Sequence, residues 1–128
     1  MGDNILYNIK NYLEGSSRRH EILSDNVARS NVPGAKARDF SPEMYMNQKN
    51  PHASMNIATT NPDHIASIGP KGAGAYLAKD SWGVKPNGNN IHTEQQSHKI
   101  AKNAEQYKTA AKAYSAIFDI LTSSLGSG

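Results

Sequence analysis

The sequence predicts a mainly α-helical fold, with a long helix at each end of the chain and an extended loop or β-hairpin segment between them. Three observations predict it. Leu6, Ile9, Leu13, Ser16, His20, Leu23, Val27 and Ser30 follow an alternating three/four spacing that places them on one helical stripe. Ile100, Tyr107, Tyr114 and Leu121 recur every seven residues, with Ala110 and Ile117 between them and Ala104, Ala111, Phe118 and Leu125 in the adjoining row. A sustained seven-residue repeat implies left-handed coiled-coil packing against a partner helix. The stretch from Ser41 to Asn90, in contrast, is polar and carries most of the Gly and Pro.

The first helix is expected from Asn4 to Ser30, roughly 40 Å long, with Asp3 as its cap and Gly15-Ser16-Ser17 as a weak point. It should stop at a Pro-Gly corner. Pro33 biases Val32 away from the α region, and Gly34 can take the positive φ that closes a turn. The second helix, Thr93 to Leu125, would be roughly 50 Å long. Thr93-Glu94-Gln95-Gln96 has the form of a capping box. In the middle, Ala58–Ile65 reads as a capped turn with a short helix or strand, Gly69–Gly74 as a loop and Pro86–Asn90 as a dense turn. Tyr76-Leu77-Ala78 and Ser81–Val84 read as two short strands of a hairpin turning at Lys79-Asp80. So little apolar content buries little surface, so this segment is expected to order on assembly.

Composition narrows function. Of 128 residues 37% are hydrophobic and 7% aromatic, so a self-sufficient core is not expected. The net charge is +3, but the basic residues are scattered: Lys99, Lys102, Lys108 and Lys112 spread around the second helix rather than forming one nucleic-acid face. There are no cysteines, hence no disulfides or thiolate metal sites. The segment Ile5–Leu13 is interrupted by polar residues, so neither a signal-peptide core nor a membrane span is read there, and export would proceed without a cleaved signal.

No catalytic, cofactor or metal residue is assigned. Gly69, Gly72 and Gly74 beside Lys71 lack the helix-opening Gly-Lys-Ser/Thr of a phosphate loop. Among His20, His52, His64, His92 and His98, only Glu94 and His98 share a helix face, and zinc needs three or four convergent ligands. No serine sits in a nucleophile elbow and no carboxylate pair lies in an apolar setting. His20, polar on an apolar stripe, reads equally as a register-setting group and as a solvent-facing one.

The run Asn26-Val27-Ala28 … Asn31-Val32-Pro33-Gly34-Ala35-Lys36-Ala37-Arg38-Asp39-Phe40 resembles the N-terminal motif of bacterial flagellar rod and hook proteins, above all the proximal rod proteins of the basal body, the FlgB type. Asn26, Ala28, Pro33, Gly34, Lys36 and Asp39 carry the match, while Arg29, Val32 and Ala35 depart from it. Asn87-Gly88-Asn89-Asn90-Ile91 through Gln96 is similar to the element that opens the family's C-terminal helix, with His92 and Gln96 where acidic residues are usual. Thr60–Ile65 is similar to a central family element.

The resemblance implies a structural subunit of the proximal rod, not an enzyme. Its terminal helices would pair as an antiparallel or splayed coiled coil and polymerise into part of the periplasmic drive shaft. Its implied partners are other rod subunits, the ring or adaptor at the rod base and the type III export apparatus. It would bind no nucleic acid and would not be membrane-embedded. The alternative class is a small basic helical adaptor or nucleic-acid-binding module.

The resulting division is 1–32 as N-terminal rod helix, 33–90 as polar connecting segment and 91–128 as C-terminal rod helix and tail. The expected assembly interface is Leu6, Ile9, Leu13, Leu23, Val27, Ile100, Tyr107, Tyr114, Ile117, Phe118, Leu121 and Leu125. Asn89, Asn90 and Thr93 are expected to cap the C-terminal helix.

Overall fold

The computed structural model describes residues 2–49 and 74–126. The element order is α1 (Gly2–Ala28), β1 (Arg38–Asp39), α2 (Pro42–Lys49), β2 (Tyr76–Leu77) and α3 (Thr93–Gly126). The expected turn at Ala58–Ile65, most of the Gly69–Gly74 loop, His52 and His64 lie outside the described residues, as does the side chain of Asp3.

The mainly helical class with long terminal helices holds. α1 and α3 pack antiparallel as a helical hairpin: Asn26 of α1 meets Gln96 of α3 at one end, and Ser16 meets Asn103 further along. The helices run 27 and 34 residues. From the Asn26–Gln96 level, α1 has about 36 Å left to run and α3 about 45 Å, so the end of α3 passes the start of α1 by about 9 Å.

The hairpin's interior is unusual in its polarity. Its fully or nearly buried apolar residues are Leu23, Ala37, Phe40, Ala75 and Ile91. Asn11, Ser16, Asn26, Ser30, Asp39, Asn89, Gln95, Gln96 and Asn103 are buried beside them. Such groups must find hydrogen bonds inside or cost stability, so they fix relative position more strictly than apolar contacts do.

At Gly15-Ser16-Ser17, where a weak point is expected, packing holds the helix together. α1 continues through it. A Cβ on Gly15 would stand 2.9 Å from Pro42 Cα, so the glycine admits the start of α2 against α1. The unforeseen α2 is then held from its own side. Tyr45 Oη donates to Glu14 Oε2 at 3.0 Å, Arg18 lies 5.2 Å over the Tyr45 ring, and Tyr45 packs on Phe40.

The short β element also differs from expectation. Tyr76–Leu77 is a strand, but it pairs antiparallel with Arg38–Asp39 (Arg38 opposite Leu77, Asp39 opposite Tyr76), not with Ser81–Val84. The ladder continues as Ala78 N–H donates to Ala37 O at 2.9 Å. Ser81–Val84 is instead irregular, bent at Trp82 and held where Ser81 Oγ donates to Asn90 O at 2.6 Å.

Candidate functional site

The corner after α1 and the segment before α3, nearly sixty residues apart in sequence, form one interlocked site. α1 ends at Ala28, earlier than Ser30, and residues 29–31 continue as turns. Gly34 has φ 74°, the left-handed conformation expected of it, and its N–H donates to Asn87 O at 3.0 Å.

Asn26, fully buried on the last turn of α1, is the hub. Its Nδ2 donates to Arg38 O at 2.6 Å and to Gln96 Oε1 at 2.9 Å. Its Oδ1 accepts from Arg38 N–H at 3.0 Å and from Arg29 Nη2 at 2.9 Å. One side-chain amide thus pairs with both backbone groups of Arg38, on the edge of β1 that β2 leaves free. It stands where a third strand would lie. Aspartate lacks the donor and glutamine is one methylene longer, so the geometry is specific to asparagine.

Asn89 and Asn90 do not cap α3. Asn89 Nδ2 donates to Arg29 O at 3.0 Å and Val32 O at 2.7 Å, so it ties down the turn that follows α1 instead. Its Oδ1 accepts from Ile91 N–H at 2.6 Å. Asn90 Oδ1 accepts from Ala37 N–H at 2.6 Å. The Thr93 capping box does not form: Thr93 is exposed, and the Gln96 side chain turns inward to Asn26. The desolvated hub holds Gln96 more strongly than a solvent-facing cap would. Lys36 Nζ donates to Gly88 O at 2.7 Å and completes the lock. Ala28 and Pro33 are exposed.

Beside the lock lies an ion network. Asp39, 6% exposed, takes Arg19 in a two-pronged contact, Nε to Oδ1 at 2.8 Å and Nη2 to Oδ2 at 3.2 Å. Lys99 Nζ reaches Asp39 Oδ2 at 3.4 Å and Asp80 Oδ1 at 2.8 Å. α1, β1, the 78–92 loop and α3 are thereby joined through charge. Burial alone would raise the Asp39 carboxyl's pKa. The Arg19 hydrogen bond, the Phe40 N–H and the Arg19 and Lys99 charges outweigh it and hold the carboxyl below its ordinary value. Burial likewise works against the Arg19 charge, and Asp39 overcomes it and raises the guanidinium. Arg19 and Lys99 had no expected role; their contacts with Asp39 span 20 and 60 residues and leave no local pattern.

The expected seam residues separate into two groups. Leu23 is 0% exposed and belongs to the chain's own core, so it presents no surface to a neighbour. Leu6, Ile9, Leu13, Val27, Ile100, Tyr114, Ile117 and Leu121 are half-buried along the helix pair. Tyr107, Phe118 and Leu125 are 41%, 51% and 85% exposed. Ile120, 67% exposed, joins them at the far end of α3. Among the described residues, no three acidic, His or Cys side chains converge as a metal site, and no helix is long and apolar enough to cross a membrane.

No family model matches the chain. It is 26% identical over 104 residues to the flagellar basal body rod protein FlgB of Aeromonas hydrophila, covering 73% of this chain and 71% of that protein. It is 30% identical over 96 residues to FlgB of Cereibacter sphaeroides, covering 72% and 70%. The chain belongs to the FlgB family of flagellar basal body rod proteins. Within that family membership, the corner and the pre-α3 segment that carried the resemblance are the two halves of the lock.

Proposed function

We propose that this chain is a structural, non-catalytic subunit of the proximal rod of the bacterial flagellar basal body. It polymerises through its terminal helices as part of the periplasmic drive shaft. The observation that carries this reading is an asymmetry of the helical hairpin. One end is fastened by the Asn26–Asn89–Asn90 lock, while at the other α3 runs past α1 with Phe118, Ile120 and Leu125 exposed. Burying each such side chain contributes roughly 1.5–3 kcal/mol, and a neighbouring subunit is the natural cover.

In this reading 1–32 and 91–128 are the rod helices and 33–90 the connecting segment. Leu6, Ile9, Leu13, Val27, Ile100, Tyr107, Tyr114, Ile117, Phe118, Leu121 and Leu125 form or flank the assembly seam. Other rod subunits and the ring or adaptor at the rod base are its neighbours, and the type III export apparatus delivers it.

Leu121→Asp and Ile117→Asp are expected to abolish rod assembly and motility while leaving secretion of the chain largely intact. Motility, basal-body purification and secreted-protein blots read the three properties separately. Rods built normally by both variants would show the seam assignment to be wrong.

A further inference from the structure

We propose that Asn87 is a spontaneous modification site: water converts it to an aspartyl or isoaspartyl residue when the corner lock opens, and the closed lock holds it unreacted. The inference goes beyond the rod reading and does not depend on it.

Asn87-Gly88 is the single Asn-Gly pair in the chain. The chemistry of such a pair is local. The Gly88 nitrogen attacks Asn87 Cγ, the new N–Cγ bond closes a succinimide ring, and the Cγ–Nδ2 bond breaks. Nδ2 leaves as ammonia, carrying the proton that Gly88 N–H gives up. Water then opens the ring. Cleavage between Cγ and the nitrogen gives an aspartyl residue. Cleavage at the main-chain carbonyl gives an isoaspartyl residue, whose chain runs on through Cγ. Glycine suits the attack because no Cβ hinders the approaching nitrogen. The leaving group is unencumbered: Asn87 is exposed, and its Nδ2 forms no hydrogen bond among the described residues.

The closed lock keeps the nucleophile occupied. Gly88 N–H donates to Lys85 O at 2.9 Å, across a turn with Pro86 and Asn87 at its centre. Lys85 N–H donates in return to Asn89 O at 2.7 Å. Around the reacting bond, Asn87 O accepts from Gly34 N–H at 3.0 Å, Asn87 Oδ1 from Asn89 N–H at 3.1 Å and Gly88 O from Lys36 Nζ at 2.7 Å. Ring closure removes the Gly88 N–H and turns the Asn87 side chain onto the main chain, so the turn must open first. The two products then differ. Both oxygens that Asn87 uses survive in the aspartyl form. The isoaspartyl form adds one carbon to the main chain inside the Lys85–Asn89 turn, so the paired spacings cannot all be kept. Asn89, whose amide grips Arg29 O and Val32 O, shifts with it.

Full-length purified chain is incubated at mildly alkaline pH, folded and in guanidinium chloride, and its peptides are mass-analysed for conversion of amide to acid. In denaturant Asn87 is expected to convert before every other asparagine, and the folded chain to convert it at least roughly tenfold more slowly. Lys36→Met, which releases Gly88 O, is expected to raise the folded rate roughly 2–5-fold. Chain enriched in the isoaspartyl form is expected to unfold at lower denaturant than wild type. Asn87→Asp, which has the added charge without the added carbon, is expected to unfold as wild type does. Equal folded and unfolded rates, or another asparagine reacting first in denaturant, overturn the site. A Lys36→Met chain no faster than wild type overturns its guarding by the lock. An isoaspartyl chain as stable as Asn87→Asp overturns the effect of the modification on the lock.

Discussion

The two ends of the α1–α3 hairpin are built from opposite materials. At the corner end, Asn26, Asn89 and Asn90 are buried or half-buried and hydrogen-bonded to backbone, and charge joins Arg19, Asp39 and Lys99. At the open end, Phe118, Ile120 and Leu125 face outward on a helix that outruns its partner. Directional hydrogen bonds fix an angle and a register; apolar surface adheres to whatever shape covers it. In the proposed assembly the molecule would therefore set its geometry at one end and leave adhesion to the other. Substitutions at the corner should damage the single chain, and substitutions at the open end should damage only its association.

Asn26→Ala is the most damaging test of that contrast. It removes the donor for Arg38 O and Gln96 and the acceptor for Arg38 N–H in a fully buried setting. A loss of about 2–4 kcal/mol is expected in denaturant unfolding of the purified chain. Asn26→Asp should not rescue it, since both donations fail. A loss under about 0.5 kcal/mol would mean that the lock does not hold the corner.

Asp39→Asn comes next, at about 1–3 kcal/mol, because it leaves Arg19 and Lys99 facing a neutral group in a mostly desolvated site. The effect depends on pH in a defined direction. The folded carboxyl holds its proton less tightly than the unfolded one. Its contribution is therefore complete above the ordinary carboxylate value near pH 4 and is lost as pH falls below it toward the folded value. Unfolding midpoints measured from pH 7 down to pH 3 should converge for wild type and Asp39→Asn. Parallel curves would separate the ion network from acid sensitivity.

How much of this was legible in the sequence follows the range of the interactions. Helix periodicity and the Gly34 turn are local, and both were readable. Asn26, Asn89, Asn90 and Asp39 stood out as motif residues, but their partners did not. Asn89 reads as belonging to the helix that follows it and instead ties down the turn after α1, sixty residues before it. The Thr93–Gln96 pattern is a sound local cap that lost Gln96 to a buried amide seventy residues away. Tyr76–Leu77 was readable as a strand, whereas its pairing with Arg38 depends on a long-range closure that no short pattern encodes. α2 has little amphipathic signal; its position follows from the space left by Gly15, visible only once α1 and Pro42 are side by side.

Gly15→Ala sharpens the comparison at intermediate strength. The added methyl would meet Pro42 backbone at 2.9 Å, so α2 must move or α1 must bend, at about 1–2 kcal/mol. Because the clash lies between α1 and α2, fluorescence of Trp82, on the loop before α3, should be unchanged while the unfolding midpoint drops. A shifted Trp82 spectrum would show that α2 and the corner move as one unit.

Leu125→Ser should have the smallest effect on the chain and a clear one on its assembly. Leu125 is 85% exposed, so its removal is expected to change unfolding free energy by less than about 0.5 kcal/mol. In an assembled rod the same side chain would lose water on contact with a neighbour, and its truncation would weaken that contact by roughly 1–2 kcal/mol, about 5–30-fold in association. Basal-body yield at matched expression reads the second quantity and denaturant unfolding the first. Equal losses in both would mean that Leu125 packs on its own chain in solution, and the division into a geometric end and an adhesive end would fail there.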